Sequence, residues 1–168
     1  QGVLGDLAEF VRLYRTQLGV DLTQKIPVIV KAAKANVEYL FPDSMTIGFG
    51  DTHPSTIKKA IYEKLNIDFS SLHPSRTFAA PKTSWLIQRT GMKPAQSLAF
   101  ALNASDGNHM HANGISMELF ARGQRMAPDG GIGYGLYSGD DYKEYYSQFP
   151  AHNTVCVDGV SAYPVMKS

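Results

Sequence analysis

The sequence predicts a mainly β protein, an antiparallel β-sandwich preceded by a helical end. In the first forty residues the apolar positions recur at helical spacing, whereas from residue 76 onward they alternate with period two. The alternating segments are short and are separated by glycine-rich turns, with no helical pattern between them. Short strands joined in this way are typical of an antiparallel sheet or sandwich.

Two helices are predicted at the start of the chain. The first ends at Gly19, a residue type that often follows a helix C-terminus, and its apolar face consists of Leu4, Leu7, Val11, Tyr14 and Leu18. The second runs from Pro27, which suits a first helical turn, to Leu40, and its apolar face includes Ile29, Ala33 and Val37. Prolines and glycines then interrupt the pattern in "FPDSMTIGFGDTHPS". A short amphipathic helix is expected from Thr56 to Leu65.

The strands are predicted from four alternating segments, "TSWLIQRTG", "SLAFALN", "GISMELFARG" and "HNTVCVDG". In the third segment one face carries Ile115, Met117 and Leu119, and the other carries Ser116, Glu118 and Phe120. In the fourth, Val155 and Val157 share a face. A further short strand is expected just before "MAPDGG".

Composition and charge limit the classes of partner. The chain has 168 residues, 43% of them hydrophobic and 18% charged, and its formal net charge is +1. This ordinary balance provides no strong field to attract nucleic acid or an anionic membrane. No apolar run is long enough for a membrane span, and no signal peptide is visible. Cys156 has no second cysteine with which to form an internal disulfide. Both ends look like cuts within a larger protein.

The stretch "GNHMHANG" holds two histidines one residue apart. On a strand His109 and His111 would project from the same face, as ligands of one ion or as neighbours with different roles. The alternative is a polar turn in which both rings bond to backbone carbonyls. Asp129 and His152 could join His111 in a set of two nitrogens and one oxygen suited to zinc, although their long spacing is a weak signal. Structural roles beside turns are expected for the remaining histidines, His53 and His73.

A glycine-rich connection, "GIGYGLYSGDDYKEYYSQF", carries Tyr134, Tyr137, Tyr142, Tyr145 and Tyr146. Long connections of this kind are usually functional or disordered, and so many aromatic residues argue against disorder. The tyrosines could simply cover the sheet or a partner surface. They could instead stack on sugar rings, with one hydroxyl transferring a proton. A tyrosine base needs a nearby cation or donor to stabilise its phenolate, which a charged His109 could supply.

The stretches "NHMHANGISMELFARGQRMAPDGG" and "YYSQFPAHNTVCVDG" resemble the β-sandwich part of the heparinase II/III-like polysaccharide lyases. With "FGDTH" and "SWLIQRTG", the resemblance is closest to the oligoalginate lyases of polysaccharide lyase family 17. It covers roughly Phe41 to Gly159. It implies that residues 1–42 are the last helices of an (α/α) toroid and residues 43–168 a β-sandwich, truncated at its end, with the active cleft between the two domains.

The resemblance also implies a chemistry, β-elimination at a uronic acid. A base removes the C5 proton, an acid protonates the O4 leaving group, and an unsaturated uronate results. His109 matches the catalytic histidine on the sandwich side, and Tyr137 is the preferred catalytic tyrosine, with Tyr146 second. A structural zinc below the cleft is implied for His111, Asp129 and His152. Substrate contacts are expected from Asn108, Tyr134 and Arg125. The resemblance implies an arginine near Gly131 that holds a substrate carboxylate, but none is evident there, and Arg122 or Arg125 could take its place.

The catalytic groups that such lyases carry on the toroid side are not recognisable in this chain, so we expect it to be inactive alone. The near-neutral charge favours alginate over a sulfated polymer, with a heparinoid as the alternative substrate. A bacterial periplasmic or secreted location and a homodimer are further expectations. Two other classes of protein are alternatives. In a cupin, a glutamate should follow the second histidine more closely than Glu118 does. A non-catalytic carbohydrate-binding module, stabilised by metal, would use the tyrosines only for stacking.

Overall fold

The computed structural model describes residues 2–104, 111, 115–132, 140 and 142–160. The chain forms two compact units. The helical unit consists of residues 1–40 and 56–75, and the sheet unit consists of residues 41–55 and the chain from residue 76 onward. Residues 56–75 therefore group with the helices, although the sequence assigned them to the second domain. The domain boundary between residues 42 and 43 stays a prediction.

The helical unit contains the three predicted helices. Helix α1, Gly2–Leu18, ends at Gly19, where a φ of 66° lets the N–H group bond to the carbonyl of Arg15 at 2.9 Å. Helix α3, Val28–Val37, buries the predicted face of Ile29, Ala33 and Val37, and α4 spans Lys59–Lys64. The sequence analysis missed only the short α2, Leu22–Lys25. In the described part of the chain, every helix is too short or too polar to cross a membrane.

Packing in the helical unit centres on Tyr62 of α4. Its side chain is fully buried, and its hydroxyl donates to the carbonyl oxygen of Ala33 in α3 at 3.0 Å. Burial raises the pKa of Tyr62, so the phenol stays protonated and keeps this donor. The ring also packs against Phe69 at 4.7 Å between centroids. The hydrogen bond therefore fixes α4 on α3, and the aromatic contact fixes the following turn on α4.

The sheet unit contains one five-stranded antiparallel sheet in the order β1-β2-β3-β4-β5. Its strands are β1, Thr77–Ala80; β2, Trp85–Arg89; β3, Ala99–Asn103; β4, Ser116–Ala121; and β5, Gln124–Ala127. Each strand pairs with the next one along the chain. The predicted fold class, an antiparallel β structure preceded by helices, is confirmed.

The two faces of β4 differ in burial. The predicted alternation is present, but the buried set is Ser116, Glu118 and Phe120, and the exposed set is the more apolar Ile115, Met117 and Leu119. Ser116 and Glu118 can be buried because each one has hydrogen-bond partners inside the unit. Through Ser116, this buried face contacts Asp129, a residue of the candidate site described below.

The strand predicted in "HNTVCVDG" is wrong for the described residues. Only an isolated bridge joins Val157 and Val160, and Val155 and Val157 are both exposed. Asp158 and Gly159 between the bridged residues have positive φ angles of 54° and 70°. This left-handed turn ends the extended conformation that the alternation indicated.

Candidate functional site

Four buried side chains of the sheet unit form a continuous polar row. Asp51 comes from the 41–55 segment, His111 from the connection between β3 and β4, Asp129 from the turn after β5, and His152 from the end of the short 3-10 turn Phe149–Ala151. The exposed fraction of each side chain is 5% or less. Such complete burial requires that charged groups be paired.

The row runs carboxylate, imidazole, imidazole, carboxylate. Asp51 Oδ1 lies 2.8 Å from Nε2 of His111, and Nδ1 of His111 lies 2.9 Å from Nε2 of His152. Nδ1 of His152 lies 2.9 Å from Asp129 Oδ2. Each histidine therefore has a carboxylate on its outer nitrogen and the other histidine at its inner nitrogen.

This arrangement leaves room for one additional proton, or for a metal ion, between the two rings. A neutral imidazole has one N–H group and one lone pair, and each carboxylate accepts the N–H group of the outer nitrogen. The two inner nitrogens would then face each other as lone pairs. A third acceptor, the carbonyl oxygen of Tyr146, lies 2.9 Å from Nε2 of His152. With both rings neutral the row carries two negative charges, which an additional proton would halve and a divalent cation would balance.

The donor chemistry fits a metal ion, and zinc in particular, because imidazole nitrogen and carboxylate oxygen are its usual ligands. Burial is the main cause that lowers the pKa of His111, against the opposing effect of Asp51, and this favours the neutral ring that binds metals. In the described residues, however, no three His, Cys, Asp or Glu side chains surround a single point. Asp129 lies at the outer nitrogen of His152, away from the gap between the rings.

The turn after β5 holds Asp129 firmly. Ser116 Oγ donates to Asp129 Oδ2 at 2.6 Å, and the N–H group of Gly131 donates to Oδ1 at 3.0 Å. The N–H group of Gly130 bonds to the carbonyl of Ala151 at 2.9 Å, which fixes the turn beside His152. The sheet thus positions both members of the Asp129–His152 pair.

Arg125, a predicted substrate contact, lies in a separate internal network. Its guanidinium pairs with Glu118 at 2.7 Å and with Asp43 at 2.9 Å, and also donates to the carbonyls of Met45 and Thr46. Desolvation raises the pKa of Glu118 to about 7, and Arg125 opposes this rise. The structure therefore gives Arg125 a role in joining β5 to the 41–55 segment.

The other predicted catalytic and substrate-binding residues are placed only in part. Tyr146 is half-buried; its ring packs edge-on against Tyr145, with centroids 5.2 Å apart, and its carbonyl contacts His152. Asn108, His109, Tyr134 and Tyr137 lie outside the described residues. Sequence reasoning missed Asp51, and the signal that could have found it is an acidic residue in the glycine-rich "FGDTH" turn.

A protein-family model, described as heparinase II/III-like, C-terminal, matches residues 74–168. The chain belongs to the heparinase II/III-like family. Solved structures of similar fold include heparinase III, with 17% identity and a TM-score of 0.75 over 98% of this chain. They also include heparan sulfate lyase HepC from Pedobacter heparinus, with 18% identity and a TM-score of 0.72 over 95% of this chain. No curated protein matches.

The family match confirms the heparinase II/III-like resemblance. At 17% and 18% identity, the matches to solved structures show the fold alone. The chain spans 31% and 29% of the length of those two solved chains. It is therefore similar to less than a third of each. The narrower resemblance to oligoalginate lyases stays a prediction.

Proposed function

We propose that the protein is a polysaccharide lyase that cleaves an acidic polysaccharide by β-elimination at a uronic acid. Membership of the heparinase II/III-like family carries this proposal. In the reaction a base removes the C5 proton while the substrate carboxylate is neutralised, because the developing charge spreads onto that group. Preorganised donors at such a charge contribute roughly 10²–10³ each in rate.

The polar row supports the proposed role of His109. A single residue, Met110, separates His109 from His111, so their Cα atoms can be no more than about 7 Å apart. His111 is completely buried and fixed by Asp51 and His152. The anchored ring therefore limits where the catalytic candidate can lie, whether His109 acts on the C5 proton or on a tyrosine such as Tyr137.

Alginate is our first candidate substrate, because a net charge of +1 offers few cations for a heavily sulfated chain. Heparan sulfate is the second, because one of the similar solved structures is a heparan sulfate lyase. Export to the periplasm and a homodimer remain proposals that rest on the family resemblance of the sequence.

The lyase proposal is tested by adding the full-length protein to alginate and, separately, to heparan sulfate, and following the ultraviolet absorbance of the unsaturated product. We expect a rise with one polymer and a loss of about 10²–10⁴-fold in the His109→Ala variant, the usual contribution of a placed acid or base. The exposed His73→Ala serves as the control. If the unsubstituted protein turns over neither polymer, and His109→Ala only binds polymer less tightly, the protein is a carbohydrate-binding module instead.

We further propose that His111, Asp129 and His152 hold a structural zinc ion, which would balance the charge of the buried row. The prediction is that purified protein contains about one zinc per chain and that His152→Ala contains almost none, since an imidazole ligand and its paired carboxylate are both disturbed. Metal analysis by mass spectrometry measures this, with His73→Ala as the control. Equal zinc in both variants would contradict the proposal.

A further inference from the structure

We propose that Asp51 is the positioning carboxylate that prepares His111 to bind the metal. This inference rests on the zinc proposal above and adds a residue to it. Asp51 Oδ1 lies 2.8 Å from Nε2 of His111, and the two side chains are 5% and 0% exposed. At this distance in a buried site, the contact is a hydrogen bond of the charge-assisted kind.

The contact determines which nitrogen of His111 carries the proton and which carries the lone pair. The carboxylate only accepts, so it holds the proton of His111 on Nε2 and leaves the lone pair on Nδ1. Nδ1 is the atom that faces His152, 2.9 Å from its Nε2. Without Asp51 the ring could carry its proton on Nδ1, where that proton would block a metal.

The backbone around Asp51 is fixed to the sheet, so this carboxylate is not a chance surface neighbour. The N–H group of Gly48 donates to Glu118 of β4 at 3.2 Å, and the ring of Phe49 packs edge-on against Trp85 of β2, with centroids 5.1 Å apart. On the other side, the Thr52 hydroxyl donates to the carbonyl of Phe49 at 3.0 Å. Two strands and a local turn therefore hold the residue in place.

Carboxylates behind metal-binding imidazoles orient the ring and raise its basicity, and their loss typically weakens metal affinity about 10–100-fold. We expect a loss in this range for Asp51→Ala. The nearly isosteric Asp51→Asn keeps an acceptor but loses the charge. Its zinc affinity should therefore fall between that of Asp51→Ala and that of the unsubstituted protein. The matched control is Asp43→Asn, a carboxylate of the same segment that pairs with Arg125 and not with a histidine.

The experiment measures the zinc affinity of the full-length protein and these variants by competition with a chelator. In parallel, Co²⁺ replaces zinc, and its visible absorption reports the ligand set. The expected result is weaker zinc binding in both Asp51 variants, unchanged affinity in Asp43→Asn, and the same cobalt spectrum throughout.

Zinc affinity in Asp51→Ala equal to that of the unsubstituted protein would overturn the inference while leaving the zinc proposal intact. A cobalt spectrum that changes in the Asp51 variants would also overturn it, because Asp51 would then be a ligand. If the unsubstituted protein binds no zinc, the zinc proposal fails and the role of Asp51 fails with it.

Discussion

Gly131 determines how closely the turn after β5 approaches the 41–55 segment. Its φ is +57°, and a Cβ atom added there would collide with the carbonyl oxygen of Thr52. The same residue donates its N–H group to Asp129. A glycine is thus needed next to the candidate metal ligand for two reasons, the left-handed conformation and the space.

Gly131→Ala should therefore destabilise the protein more than a typical glycine replacement. The left-handed conformation alone costs about 1–2 kcal/mol for alanine, and the backbone collision adds to it, for a total of roughly 3 kcal/mol. The control is Gly123→Ala, which also has a positive φ (+82°) but whose nearest neighbour is 4.0 Å away. Urea unfolding of both variants measures the difference, and equal losses would show that the collision is relieved without cost.

At this scale the sequence predicted part of the candidate site. The donor chemistry of His111, Asp129 and His152 and the motif resemblance both indicated these three residues, and the structure brings them into one row of contacts. Asp51 was missed because 60 residues separate it from His111, and no local spacing relates the two. A hydrogen bond across such a separation is a property of the fold, which short motifs do not encode.

Among the elements, β5 and the 41–55 segment are joined through the guanidinium of Arg125. This single side chain meets two carboxylates and two backbone carbonyls, and it also lies over the ring of Phe41, 5.0 Å from its centroid. Glu118 has only a 1% exposed side chain. Its charge is tolerable there because Arg125 and two backbone N–H groups surround it.

Arg125→Ala should lower the free energy of unfolding by about 3–5 kcal/mol, because it leaves buried Glu118 without its countercharge. Arg122→Ala, an exposed turn residue three positions earlier, is the matched control and should change stability by no more than about 0.5 kcal/mol. Thermal or urea unfolding measures both effects. Equal stability of the two variants would mean that water or a rearranged Asp43 replaces the ion pair.

The elements were predictable where periodicity was strong. Helices α1, α3 and α4 and strands β2, β3 and β4 lie where the sequence placed them. The sequence did not predict which face of β4 is buried. Hydropathy favours burying Met117 and Leu119, whereas the structure buries Ser116 and Glu118, each with its own hydrogen-bond partner. The alternation at Val155 and Val157 indicated a strand that a left-handed turn at Asp158 prevents.

For the whole molecule, the sequence motifs predicted the family, and the family model confirmed it over residues 74–168. Substrate choice does not follow from them. Alginate and heparan sulfate require the same proton abstraction and differ in the groups that surround the uronate. The chain spans 31% of the length of the heparinase III chain. The polymer assay described above decides between the two substrates.

The sheet unit also implies an order of folding. Its 41–55 segment bonds to partners that lie 60, 70 and 82 residues further along the chain, at His111, Glu118 and Arg125. The strands pair only with their sequence neighbours, so their hairpins can close first, at a smaller entropic cost. During synthesis the segment that bears Asp51 leaves the ribosome before these partners do, so its contacts with them cannot form until they follow. We therefore expect the hydrogen bond between Asp51 and His111 to form in a late folding step, after the sheet has formed.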